Sequence, residues 1–170
     1  MKSPTIRRAL IGFAGAVVLG AALAPVASAE TVQTVDYTAE PGSAPLSGTA
    51  HYSAPGDEIA VWERDGVLKV DVQSGFKDLR VELSAPAGES LHTGTYSGAR
   101  FRGQSDPALT TPGFFVVSGS WGCSDVYADF TIDRLDKDAD GTLTDADVTF
   151  VERCGSPDAP ATHGEVHYHL

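Results

Sequence analysis

The sequence predicts an all-β fold, an antiparallel sandwich, on three observations. Short runs of alternating apolar and polar residues recur along the chain, and no stretch sustains helical periodicity. Gly, Pro and Asp turn chemistry interrupts the runs about every eight to twelve residues.

Residues 59–63 and 67–73 flank Asp65-Gly66, a pair suited to a tight two-residue hairpin turn. In the second run Leu68, Val70 and Val72 alternate with Val67, Lys69 and Asp71. Further on, Leu79, Val81 and Leu83 alternate with Asp78, Arg80 and Glu82, so each strand offers one face to a core and one to water. Residues 114–117 are continuously apolar and suit a central strand. Phe130 shares a face with Ile132, as Val148 does with Phe150, and 165–170 form a last short strand. Residues 38–45, 104–113 and 155–164 have loop composition. An immunoglobulin-like or jelly-roll-like sandwich accommodates these elements.

The N-terminus predicts export. Lys2, Arg7 and Arg8 precede an uncharged apolar stretch over 9–23, and Ala27-Ser28-Ala29 supplies small residues before Glu30. This is a signal peptide over 1–29. The general secretory route is favoured over the twin-arginine route, because Ala9-Leu10-Ile11 follows the arginine pair where Phe-Leu-Lys is usual. The apolar run is too short, and too soon followed by Pro25, for a permanent span. With no Cys near the cleavage site, a lipoprotein anchor is excluded. The expectation is a secreted, extracellular protein with no membrane insertion once the leader is removed. The remaining 141 residues divide into a flexible N-terminal spacer over 30–45 and a sandwich domain over 46–170.

Without the leader, nine basic residues stand against 23 acidic ones, a formal charge of −14. That balance excludes nucleic acid and anionic lipid as partners, since both need positive contact surfaces. Cys123 and Cys154 are the only cysteines, and an even pair in an exported chain implies one disulfide. Closing a loop of about 30 residues would stabilise the fold by roughly 3–4 kcal/mol.

Between the cysteines, residues 136–147 read DKDADGTLTDAD and follow the twelve-residue EF-hand calcium loop. Asp136, Asp138 and Asp140 stand at positions 1, 3 and 5, Gly141 at the turning position, and Thr142 would offer its carbonyl. Thr144 would act through water, and Asp147 closes the loop where Glu is usual. The flanks have strand character rather than helical character, which points to a calcium-type loop on a β-hairpin. Calcium as a structural ion is therefore expected; the plainer reading is a solvated hairpin with Asp140-Gly141 as its turn.

Other constellations are weaker. His167 and His169 share a strand face, with His163 nearby, and two imidazoles can begin a zinc or copper site. Two ligands fall short of one, so exposed histidines on an edge strand are the plainer reading. Trp62, Trp121 and Tyr96 could form a sugar-stacking platform, against the ordinary core role of such rings. There is no Gly-x-Ser-x-Gly elbow, and Ser118, Ser120 and Ser124 lack a recognisable histidine partner.

The stretch Leu91-His92-Thr93-Gly94-Thr95-Tyr96-Ser97-Gly98-Ala99 resembles the L-x-x-G-x-Y-x-G-A segment of a β-sandwich domain common in secreted actinobacterial proteins. Ala54-Pro55-Gly56-Asp57, Ser118-Gly119-Ser120-Trp121-Gly122-Cys123, the Phe130-Thr131-Ile132 strand, Asp140-Gly141, Phe150-Val151-Glu152-Arg153-Cys154 and Gly164-Glu165-Val166-His167-Tyr168 extend the likeness over most of 46–170. The resemblance implies the sandwich and the disulfide, and it implies no activity. The acidic hairpin is richer in Asp than that group's.

Taken together, these features predict a secreted non-enzymatic binding or scaffold domain whose extracellular partner is a polysaccharide or a cell-surface protein. The rivals are a small secreted hydrolase with a loop-assembled site, and a secreted inhibitor presenting 104–113.

Overall fold

The computed structural model describes residues 31–103 and 110–170. Residues 1–30, which include the expected leader over 1–29, and residues 104–109 of the expected inhibitory loop lie outside them. Among the described residues there are eleven strands and no helix, so none is long and apolar enough to cross a membrane. The first six strands are β1 (Val32–Ala39), β2 (Gly48–Ser53), β3 (Glu58–Arg64), β4 (Val67–Ser74), β5 (Lys77–Ser84) and β6 (Gly94–Phe101). They are followed by β7 (Gly113–Ser118), β8 (Trp121–Gly122), β9 (Val126–Lys137), β10 (Leu143–Cys154) and β11 (Ala161–His169).

Hydrogen bonding runs in the order β2-β1-β11-β10-β9-β6-β7-β5-β4-β3, with β8 added beside β7. Every neighbouring pair is antiparallel except β6 and β7. The sheet folds over at that parallel junction, and its two edge strands, β2 and β3, meet again across the turn at 54–57. The result is a nearly closed, flattened barrel of two layers. Alternation determines what it encloses. Leu68, Val70, Val72, Leu79, Val81, Leu83 and Val116 point inward from one layer, and Val35, Phe130, Ile132, Val148 and Val166 from the other. Phe114 meets Phe150 across the interior at 5.2 Å between ring centres, and Tyr96 stacks on Phe130 at 4.6 Å. Lys137 pairs with Glu63 at 2.8 Å, tying the end of β9 to edge strand β3.

Two boundaries need correction. Residues 30–45 are not a spacer, because they contain β1, an interior strand hydrogen-bonded to β2 on one side and β11 on the other. Val35 is buried in the core, and Tyr37 packs against it. The Pro- and Gly-rich stretch that suggested mobility covers only the β1–β2 connection. The last strand also starts earlier than 165: β11 begins at Ala161 and runs alongside β10 from there.

The disulfide between Cys123 and Cys154 is present and joins the start of the β8–β9 connection to the end of β10. Beside it lies Glu152, fully buried, with neither carboxyl oxygen hydrogen-bonded. Burial pushes its carboxyl up to about 7.

Candidate functional site

The acidic segment forms the tip of the long β9–β10 hairpin. Asp138 organises it: its Oδ1 accepts the amide N–H groups of Asp140 and Thr142 at 2.9 and 2.8 Å. Its own N–H donates to the Thr142 carbonyl, and its carbonyl accepts from Gly141. Gly141 has φ of +83°, a left-handed conformation that glycine adopts without steric penalty. The tip is therefore closed by an Asp side chain acting as a turn element.

Below the tip, two register irregularities redistribute the expected ligands. Asp145 pairs with Asp136 and Asp147 with Arg134, whereas Val148 pairs with Ile132, so Asp133 is the extra residue of a bulge. Ile132 points into the core. Strict alternation would send Arg134 there too, but the bulge turns Arg134 and Asp136 to the outer face and Leu135 toward the core. A second irregularity lies between Leu143 and Asp145. Asp136, Asp138, Asp140 and Thr142 thus stay at or near the tip, and Thr144 gives its carbonyl to the N–H of Leu170. Asp147 is separated from the tip and meets another group of residues.

That group lies on the outer face where β9, β10 and β11 run side by side. Asp147 stands opposite His167, and Asp145 opposite His169. Asp147 Oδ1 lies 2.8 Å from His167 Nδ1 and 2.9 Å from His169 Nε2. His169 Nδ1 lies 3.0 Å from Asp145 Oδ1 and 3.3 Å from Arg134 Nη1. Arg134 also approaches both Asp145 and Asp147, at 3.6 and 3.9 Å. Burial pushes the Asp147 carboxyl up, but hydrogen bonds and charge from the two histidines outweigh it and hold the group below its ordinary range. The shared face of His167 and His169 was legible in the sequence. The spacing alone places Asp147 in the calcium loop, and only the β10–β11 register brings it to the two histidines.

The opposite layer carries a separate feature. On the outer face of β3, β4, β5 and β7, a groove of about 530 Å³ is lined by Trp62, Asp71, Gln73, Asp78, Arg80 and Val117, among others. Arg80 grips Asp71 with two hydrogen bonds, of 2.6 and 2.8 Å, which raises the guanidinium above its ordinary value. The three aromatic residues singled out for sugar stacking separate here. Tyr96 is in the core, its hydroxyl donating to the His92 carbonyl; Trp62 lines the groove; Trp121 is exposed on the short strand β8.

Comparison with protein-family models, with curated proteins and with solved structures finds no match. Within the short motif at 91–99, Leu91, Tyr96 and Ala99 are buried core residues.

Proposed function

We propose that this chain is an exported, non-enzymatic domain that binds a polysaccharide along the groove on the β3-β4-β5-β7 face. The observation that carries the reading is the lining of that groove. One tryptophan stands beside carboxylates, an amide and a guanidinium, the combination that suits an apolar sugar face and its hydroxyls. The floor is a regular sheet, which holds such side chains more rigidly than loops do. Arg80 donates two hydrogen bonds to Asp71 and fixes that side chain in place beside the tryptophan, where its oxygens can accept from hydroxyls. Hydrolysis needs a carboxylic acid kept protonated beside the bond to be cut. Among the described residues the carboxyl raised toward neutrality is Glu152, sealed in the core away from the groove.

Pull-down of the protein without residues 1–29 on cell-wall and polysaccharide fractions, followed by titration with the retained polymer, tests the reading. Trp62→Ala should weaken binding about tenfold or more, as removal of a central aromatic contact commonly does. Retention unchanged by Trp62→Ala and Arg80→Ala, or release of reducing sugar during incubation, would overturn it.

A further inference from the structure

We propose that Asp147, His167 and His169 form a binding site for a divalent transition-metal ion of the zinc class, with Asp145 orienting His169 from behind. The three ligand atoms lie within 4.8 Å of one another. Ligand atoms around a tetrahedral zinc sit roughly 3.3–3.5 Å apart, given bonds of about 2.0–2.2 Å. The Asp147 contacts of 2.8 and 2.9 Å therefore need to open by only about half an ångström. His167 and Asp147 are direct cross-strand partners, and His169 follows two residues along the same face, so the sheet itself sets their spacing.

Hydrogen bonding around His169 points to a cation. Its Nε2 faces Asp147 and its Nδ1 faces Asp145. A neutral imidazole carries one N–H, so in either tautomer one carboxylate meets a bare lone pair. Arg134, 3.3 Å from Nδ1, can fill that side but leaves Asp145 without the imidazole proton. A second proton or a metal ion resolves the conflict. With a metal on Nε2, Nδ1–H donates to Asp145, the carboxylate–histidine–metal relay that fixes tautomer and ring orientation.

Charge points the same way. Asp136, Asp145 and Asp147 outnumber Arg134, and Glu165 lies 3.8 Å from His167 Nε2. Two imidazoles with one carboxylate suit zinc, nickel or copper(II) better than calcium, which takes oxygen ligands. The site opens outward, so its remaining coordination positions face solvent.

The experiment uses untagged, chelator-treated protein without residues 1–29 and needs no polysaccharide, so it stands apart from the groove reading. Calorimetric titration with zinc should show one equivalent bound. Cobalt(II) should give a visible absorption band that zinc abolishes. Asp147→Asn, His167→Gln and His169→Gln should each weaken zinc binding by about tenfold or more, and Asp145→Asn by roughly tenfold, the usual scale for a supporting carboxylate. His163→Gln, four residues along the strand, should bind like the parent. Melting curves in chelator establish that each variant folds. Absence of saturable one-to-one zinc binding, or equal affinity in the Asp147 and His169 variants, would overturn the proposal and leave the cluster as cross-strand hydrogen bonds alone.

Discussion

Phe150 lies flat across the backbone of Gly164, its direct cross-strand partner on β11. A methyl group at Gly164 would stand 2.7 Å from Phe150 Cε2 and closer still to Cε1 and Cζ. The ring cannot retreat freely, because it packs on Phe114 at the centre of the core. Gly164→Ala should therefore destabilise the protein by about 1–3 kcal/mol through overpacking. Urea denaturation checks this, and Phe150→Leu in the same chain should recover part of the loss. Full stability in the single variant would show that the ring has somewhere else to go.

Glu152 makes stability depend on pH. Its folded-state value of about 7 lies above the ordinary 4.5, so the folded protein holds a proton that the unfolded chain releases between those values. Stability should then fall as pH rises from 4.5 to 7, with the full penalty, at most about 3 kcal/mol, present above that window. Glu152→Gln should remove the slope, leaving the variant more stable than the parent at pH 8 relative to their difference at pH 4. Parallel urea curves at the two pH values decide it.

The disulfide contributes through the unfolded chain. Cys123 and Cys154 lie 31 residues apart, and opening that loop should cost roughly 3–4 kcal/mol. Thiol titration of the denatured, unreduced protein should find no free cysteine. The Cys123→Ala, Cys154→Ala double variant should melt at a temperature lower by several degrees. An unchanged melting curve would place the crosslink among segments already ordered when the chain is unfolded.

For calcium, the geometry sets a ceiling. A complete twelve-residue loop with extracellular-type affinity would raise the melting temperature by roughly 4–12 °C at about 10 mM calcium. Here Asp147 belongs to the histidine group, and Asp138 is occupied by the turn amides. The expected rise is therefore below about 4 °C, and Asp147→Asn should respond as the parent does. A larger rise that Asp147→Asn removes would show that the hairpin tip rearranges to close a full loop around the ion.

How far the sequence discloses this molecule depends on the range of the forces involved. Strands such as β4 and β5 announce themselves, since alternation at Leu68, Val70 and Val72 reflects a local rule about which face is buried. The Asp140-Gly141 turn and the cysteine pair are legible for similar reasons. β1 is not, because Val35 and Tyr37 sit beside a Pro- and Gly-rich connection and acquire their burial from β11, more than 120 residues away. The bulge at Asp133 leaves no mark in composition either, yet it carries Arg134 to the outer face. Asp147 shows the limit most clearly: its spacing fits one motif, while the β10–β11 register delivers it to another group.

The pairing of β1 with β11 also bears on how the molecule is made. The strand synthesised first among the described residues waits for the one synthesised last, and Val32 ends opposite His169. A chain caught halfway has β2 to offer β1 but leaves its other edge open, so closure of that side waits for β11. The same pairing places the two ends of the described chain side by side, so a short linker between them, with new ends cut at the tip near Gly141, should yield a circular permutant of the same barrel.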